Sequence, residues 1–151
     1  MGQLLGDPEA EVRRVLVSLD ITEAVADEAI AENCQLIVSH HPVMNCKWLP
    51  VQTVRQDTPQ GHLLLKILRS GLSAICMHTN LDVAPGGVND ALADALGLTE
   101  CTVLEPSGTD RAGAVIGIGR TGVLRTGTGM DAAAYAAQVK KALGANGVRY
   151  V

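Results

Sequence analysis

Two adjacent histidines, His40 and His41, end the apolar run QLIVSHH, and Pro42 follows them directly. A third histidine, His78, ends a second apolar run, AICMH, and Asp82 lies four residues after it. Imidazole is a good ligand for zinc, iron and nickel, whereas a carboxylate suits harder ions and can bridge two of them. Such a mixed set is typical of a dinuclear hydrolytic centre, in which two cations about 3.5–4 Å apart activate a water molecule.

Pro42 explains how two neighbouring histidines can serve one site. Consecutive side chains of a β-strand point to opposite faces of the sheet, so His40 and His41 share a site only where the strand is broken. Pro42 holds His41 extended and has no N–H to donate to a neighbouring strand. We therefore expect the strand to break at this pair, so that each ring can reach a metal ion.

The segments that position these residues have the pattern of an α/β fold. Short apolar runs alternate with helical patterns between residues 15 and 98, which predicts a mostly parallel sheet with flanking helices. Ligands of such sheets bind beyond the carboxyl ends of the strands, where the histidines and Asp20 are found. The expected strands are 15–20, 36–40 and 73–79, and the expected helices are 21–33, with Thr22 as its N-cap, 61–71 and 86–98.

The remaining segments complete a single α/β domain over residues 1–151. Residues 42–60 are predicted to form a long loop, CTVLEP a short strand, AGAVIGIGRTG a strand and MDAAAYAAQVKKALG a helix whose start resembles a capping box of Thr128 and Asp131. The final strand and helix either join the same layer or form a second half. Residues 117–122 match the glycine pattern of dinucleotide-binding loops, but the helix that such a loop requires does not follow directly. We interpret these glycines as turn residues.

Several single residues have two interpretations. Asp20 either holds a histidine in one tautomer or serves as a helix-entry residue. His62 is predicted to be a surface or capping residue with no acidic partner nearby, and Cys46 to be a bystander rather than a thiol ligand. Gly86 and Gly87 either let backbone amides approach an anion or only allow the chain to enter a helix; we favour helix entry.

Composition excludes several classes of protein. The aromatic fraction is 2% beside 47% hydrophobic residues, so the core must be aliphatic. A net charge of -4, with no basic patch and few aromatic rings, argues against a nucleic-acid partner. The four cysteines have no C-x-x-C spacing. No signal peptide and no apolar run of about 20 residues is visible. We therefore expect a reduced, cytoplasmic protein that does not enter a membrane.

The motifs LIVSHHPV and HTNLDVAPGGVNDALADALGL resemble those of the GTP cyclohydrolase I type 2 homologue family, also called NGG-interacting-factor-three-like or dinuclear metal centre hexameric proteins. The opening LLGDPEAEVRRVLVSLDITEAVADEAI is similar too, so the resemblance covers nearly the whole chain. It implies an NGG-interacting-factor-three-like α/β fold, a homohexameric ring and one or two divalent metal ions per subunit, whether Zn, Fe, Mn, Ni or Mg. The ligands that it implies are His40, His41, His78 and Asp82.

Two departures from the family leave two hypotheses. Family members are longer, and they supply a further His and Glu near their C-terminus, whereas this chain has no histidine after Asp82. We therefore expect the N-terminal part of a longer architecture, shortened at both ends. The first hypothesis is a metal-dependent hydrolase that uses a metal-bound water, with a nucleotide as the substrate that the family name suggests. The second is a non-catalytic metal-binding or scaffold protein that acts through ring-shaped oligomers.

Overall fold

A computed structural model describes residues 2–44, 53–125 and 129–150. The chain divides into two compact units between Asn80 and Leu81. The single domain expected over residues 1–151 stays a prediction. Among the described ranges, no helix is long and apolar enough to cross a membrane.

The first unit is built on four short strands, which are β1 (Gly2–Leu5), β2 (Val15–Ser18), β3 (Leu36–Ser39) and β4 (Ser73–Cys76). Their order in the sheet is β1-β4-β3-β2. Strands β2, β3 and β4 are parallel, and β1 is antiparallel to β4. The predicted α/β fold with a mostly parallel sheet is therefore confirmed for this unit. Strand β1 is not among the strands expected from the sequence, because four residues that include a glycine and a glutamine carry too little of a strand pattern.

Two helices pack on this sheet, and they are α1 (Glu23–Ala31) and α2 (Pro59–Arg69). Each begins after a threonine whose side chain accepts a backbone hydrogen bond. Thr22 accepts from the N–H of Val25, which confirms the predicted cap, and Thr58 accepts from the N–H of Gly61. Helix α2 starts two residues earlier than predicted, because Pro59 is well suited to a first helical position, where its missing N–H costs nothing.

The core between this sheet and its helices is aliphatic, as the composition predicts. Ile37 of β3 and Ile67 of α2 are completely buried, and so are Ala26 and Ala29 of α1. Small residues on α1 let the helix approach the sheet closely. Ile30 of the same helix is apolar but 38% exposed. It lies at the edge of the stripe that Ala26 and Ala29 define, since each residue turns the helix by about 100°.

One face of β2 is apolar but not covered. Leu16 packs against the core, whereas Val15 and Val17 on either side of it point the other way, as alternation along a strand requires. Val17 is 77% exposed. Because β2 is last in the strand order, this uncovered face belongs to an edge strand of the sheet.

After Met77 the remaining elements are α3 (Thr79–Val83), α4 (Val88–Ala95), β5 (Leu98–Thr109), β6 (Val115–Leu124) and α5 (Ala132–Ala142). Strands β5 and β6 are antiparallel and form a sheet of their own. The final strand therefore does not join the parallel layer. The segment CTVLEP, predicted as a short strand, is the middle of the twelve-residue β5.

Three details of this part correct the sequence analysis. The strand expected over 73–79 ends at Cys76, and α3 begins at Thr79, because Thr, Asn and Asp are favoured where a helix begins. The glycines at 117–122 lie inside β6, and a Cβ at Gly117 would come within 2.1 Å of the carbonyl oxygen of Glu105. Helix α5 is capped by Asp131 itself, which accepts from the N–H of Ala134, while Thr128 lies outside the described residues.

An ion pair joins α4 to β6 within the second unit. The guanidinium of Arg120, whose side chain is 8% exposed, contacts the carboxylate of Asp90. The other oxygen of Asp90 accepts the N–H of Gly86 at 2.7 Å, and Gly87 is the N-cap of α4. The glycine pair is therefore a helix entry. The N–H of Gly86 donates to Asp90 of the same helix.

We expect this ion pair to make the second unit sensitive to acid. The hydrogen bond from Arg120 lowers the pKa of Asp90 below its ordinary value. A carboxylate with a lowered folded-state pKa stabilises the fold above its unfolded pKa of about 3.9 and loses that contribution as the pH falls through the folded value. Asp90→Asn should reduce the free energy of unfolding by about 2 kcal/mol near neutral pH and reduce its dependence on pH in acid.

Urea unfolding at about pH 7 and about pH 3 would measure the loss of stability and its dependence on pH. The matched control is Asp94→Asn, which removes the same charge from an exposed position on the same helix. Equal acid sensitivity in the Asp90 variant and the unaltered chain would contradict the prediction.

Candidate metal centre

The three clustered histidines lie directly beyond two parallel strands. Strand β3 ends at Ser39 and β4 ends at Cys76, and these two residues are partners in the register of the sheet. Both strands end sooner than predicted, so His40 and His41 follow the last strand residue rather than belong to the strand. The two adjacent side chains therefore need not point to opposite faces of the sheet. A break of the strand at this pair is what a shared site requires.

The three imidazole rings form one compact cluster. Each ring offers a nitrogen, and these nitrogens lie within 4.8 Å of one another. The rings of His40 and His78 are stacked, with centroids 4.7 Å apart and planes inclined by 30°. The ring of His41 lies 5.1 Å from that of His40 and 5.6 Å from that of His78, centroid to centroid. Three of the four predicted ligands therefore come together.

The donor set fits a divalent transition metal. Three nitrogens at these separations are close enough for one ion to contact all of them. Catalytic zinc sites commonly have three protein ligands and leave one position for water or substrate. Imidazole also suits iron, nickel and copper, so the residues select a class of ion rather than one element.

Two further side chains hold the rings of this cluster. The Oδ1 atom of Asp20, just beyond β2, lies 2.8 Å from Nδ1 of His41. The Nδ1 atom of His78 lies 2.9 Å from the hydroxyl oxygen of Thr79. A carboxylate at Nδ1 favours the tautomer that carries its proton there, which leaves Nε2 as the nitrogen for a metal ion. This contact is the one that the first interpretation of Asp20 requires.

The backbone of the histidine pair is held by two residues that the sequence analysis did not select. The hydroxyl of Ser39 donates to the carbonyl oxygen of His41 at 2.7 Å, and the thiol of Cys76 donates to that of His40 at 3.1 Å. Burial raises the pKa of the Cys76 thiol, so it remains a protonated donor near neutral pH. Neither hydrogen bond has a sequence signal, because each accepts at a backbone carbonyl oxygen, which every residue carries.

The cluster of three histidines does not include His62, the fourth histidine of the chain. Asp82 lies in α3, in the second unit, where its backbone carbonyl accepts a hydrogen bond from Asn89 at 2.6 Å. Its role as a ligand stays a prediction. His62 lies on α2 with Nε2 4.0 Å from a carboxylate oxygen of Glu23, so the expectation of no acidic partner was wrong. Folding brings α1 beside α2, which the sequence spacing does not reveal. Cys46 lies outside the described residues.

Several known proteins are similar to this chain in sequence. The family model described as Duf34/NIF3 (NGG1p interacting factor 3) matches residues 1–151. The GTP cyclohydrolase 1 type 2 homolog of Halalkalibacterium halodurans is 43% identical over 109 residues, which are 72% of this chain and 28% of that protein. The corresponding protein of Bacillus subtilis is 42% identical over 110 residues, 73% of this chain and 29% of its own length. The aligned region of this chain thus spans less than a third of these relatives.

Solved structures agree with this relationship. A Staphylococcus aureus hypothetical protein matches 98% of this chain and 58% of its own, with a TM-score of 0.83 and 28% identity. A Bacillus cereus protein related to NIF3 matches 70% of this chain and 28% of its own, with a TM-score of 0.64 and 40% identity. Reduced HcgD from Methanocaldococcus jannaschii matches 68% and 40%, with a TM-score of 0.59 and 26% identity. The chain therefore has the NIF3-like fold that its motifs predict, and it belongs to the Duf34/NIF3 family.

Proposed function

We propose that the chain binds one or two divalent metal ions and acts in metal-dependent hydrolysis. The observation that carries the proposal is the cluster of three imidazoles beyond the ends of β3 and β4, with nitrogens within 4.8 Å of one another. His40, His41 and His78 are the proposed ligands, and Asp82 is the proposed further ligand. A homohexameric ring, which the family resemblance implies, and a cytoplasmic location are part of the same proposal.

The chain's own residues prepare the site for this chemistry. A divalent cation bound there would polarise a substrate oxygen and lower the pKa of a water molecule. Asp20 keeps a proton on Nδ1 of His41, and Thr79 engages Nδ1 of His78, so both rings have a fixed nitrogen for the ion. The relatives are named GTP cyclohydrolase 1 type 2 homologs, which makes a guanine nucleotide the first substrate to examine.

Metal analysis of the purified chain, followed by a search for turnover, tests the proposal. We expect stoichiometric zinc, iron, manganese or nickel after reconstitution and dialysis. Metal-dependent release of formate or phosphate from GTP would support hydrolysis. A reconstituted chain without bound metal would overturn the whole proposal. Bound metal without release from GTP or from other phosphoesters and amides would overturn the hydrolytic part and leave a metal-binding protein.

Asp20→Ala should weaken metal binding without removing a ligand. Carboxylates that orient a metal-bound histidine typically contribute about 10–100-fold to the affinity for the metal, and the Asp20–His41 contact of 2.8 Å has this geometry. Competition with a coloured chelator would measure the dissociation constant. Asp94→Ala is the matched control, since it removes an exposed carboxylate from α4. Equal affinities in the two variants would show that Asp20 does not act through His41.

A further inference from the structure

We propose that Ser39 and Cys76 are positioning residues for the histidine pair. Their hydrogen bonds hold the backbone of His40 and His41 in the conformation in which both rings meet His78. The consequence for metal affinity rests on the proposed function. The conformation itself belongs to the metal-free chain and can be examined without any ion.

The two donors belong to one row of small polar side chains. Ser18, Ser39 and Cys76 are partners across β2, β3 and β4, and each is the last residue of its strand. Two residues earlier on the same face, Ile37 and Ala74 are buried in the aliphatic core. The row therefore separates the apolar core from the histidine cluster beyond the strand ends.

The histidine pair needs this support because it departs from the regular strand. The N–H groups of His40 and His41 still donate toward β2, to the carbonyl oxygens of Ser18 at 3.3 Å and Leu19 at 2.9 Å. Their own carbonyl oxygens accept instead from side chains, the Ser39 hydroxyl and the Cys76 thiol. Backbone N–H and C=O groups of both histidines are thus engaged, which fixes the peptide planes that set the directions of the rings.

Burial makes these two hydrogen bonds hard to replace. Ser39 is 1% exposed and Cys76 is completely buried, so water has little access to the place of either donor. The loss of a donor costs the fold more free energy at a buried carbonyl than at an exposed one, because an exposed carbonyl can accept a hydrogen bond from water instead. The hydroxyl of Ser18, in the same row, is buried and has no hydrogen-bond partner within the described part of the chain. Ser18 is therefore a matched control for the loss of a small polar group.

The test compares four variants: Ser39→Ala, Cys76→Ala, Cys76→Ser and Ser18→Ala. All four change the side-chain volume by little, and circular dichroism would establish that each is folded. We expect the zinc dissociation constant to rise about 10-fold in Ser39→Ala and in Cys76→Ala. Cys76→Ser replaces the S–H donor by an O–H donor and should therefore retain most of the affinity. Ser18→Ala should bind as the unaltered chain does.

NMR of the metal-free variants measures the conformation directly. We expect the ring-to-ring contacts of His40 with His41 and His78 to persist in Ser18→Ala and Cys76→Ser and to be lost in the two variants without a donor. Equal effects of Ser18→Ala and Ser39→Ala, or no recovery in Cys76→Ser, would overturn the proposal in favour of general packing. An unaltered chain that binds no zinc would refute the metal site alone, because the NMR contacts would still decide whether the two residues position the rings.

Discussion

His78→Ala is expected to lower the affinity of the chain for zinc by about 100-fold or more, with the same result for His40→Ala. The two rings stack with centroids 4.7 Å apart, and each belongs to the cluster whose nitrogens lie within 4.8 Å. Removing either ring leaves two imidazoles, fewer than the three protein ligands of a typical catalytic zinc site. Elemental analysis after dialysis and competition titration would measure the loss.

His62→Ala is the control that the chain itself offers for this experiment. His62 is the one histidine of the four that lies outside the cluster, on α2, and its side chain is 47% exposed. The substitution therefore removes an imidazole without touching the cluster, and the metal content should not change. If His62→Ala lost as much metal as His78→Ala, binding would be a property of histidines in general and not of this site.

Ile67→Ala is expected to reduce the free energy of unfolding by about 3–4 kcal/mol. Ile67 is completely buried on α2 and belongs to the same core cluster as Ile37 and Leu64. Truncation removes apolar contacts and leaves a cavity that neighbouring helices and strands cannot fully close. Urea unfolding followed by far-UV circular dichroism would measure the loss.

Leu68→Ala provides the comparison at the next position of the same helix. Leu68 is 45% exposed, so its truncation should cost less than about 1 kcal/mol. Ile67→Val adds a graded step, with an expected loss of about 0.5–1.5 kcal/mol, in case the alanine variant does not fold. Similar losses for Ile67→Ala and Leu68→Ala would mean that α2 does not bury the face described.

The meeting of the three histidines could be predicted because it depends on strand direction and order along the chain. Apolar runs that alternate with helical patterns give parallel strands, and parallel strands end at the same edge. His40 and His41 follow one such run and His78 ends another, so their proximity needed no knowledge of exact register. The break at the pair was also predictable, because Pro42 cannot continue the hydrogen-bonding pattern of a strand.

The contacts that hold the cluster could not be predicted, because they depend on register. A slip of one residue between β3 and β4 would turn every side chain of one strand to the other face. No sequence signal fixes the register of these two strands to within one residue. The bond from Cys76 to the carbonyl of His40 exists only in the observed register, in which Ser39 faces Cys76. The pairing of Asp20 with His41 likewise requires β2 beside β3, which local sequence leaves open.

The glycines of the second unit show a different limit of prediction from sequence, which is that the role of a glycine can depend on a distant residue. In sequence, Gly117 and Gly119 look the same whether they serve a turn, a phosphate loop or a close approach of two backbones. In the structure they lie in β6, and the reason for Gly117 is the carbonyl of Glu105 on the neighbouring strand. That reason involves residues twelve positions apart, beyond the window in which local patterns are informative.

The uncovered edge strand has a practical consequence for handling the protein. Within the described ranges, strand β2 has a partner on one side only. It also carries outward valines and has neither proline nor lysine among its four residues, VLVS. Natural sheets discourage unwanted association at such edges with those very residues. Val17, at 77% exposed, is the most exposed large hydrophobic residue in the described part of the chain. Solubility engineering should therefore begin with Val17→Lys, which places a charge on the uncovered face and leaves the histidine cluster and the aliphatic core untouched.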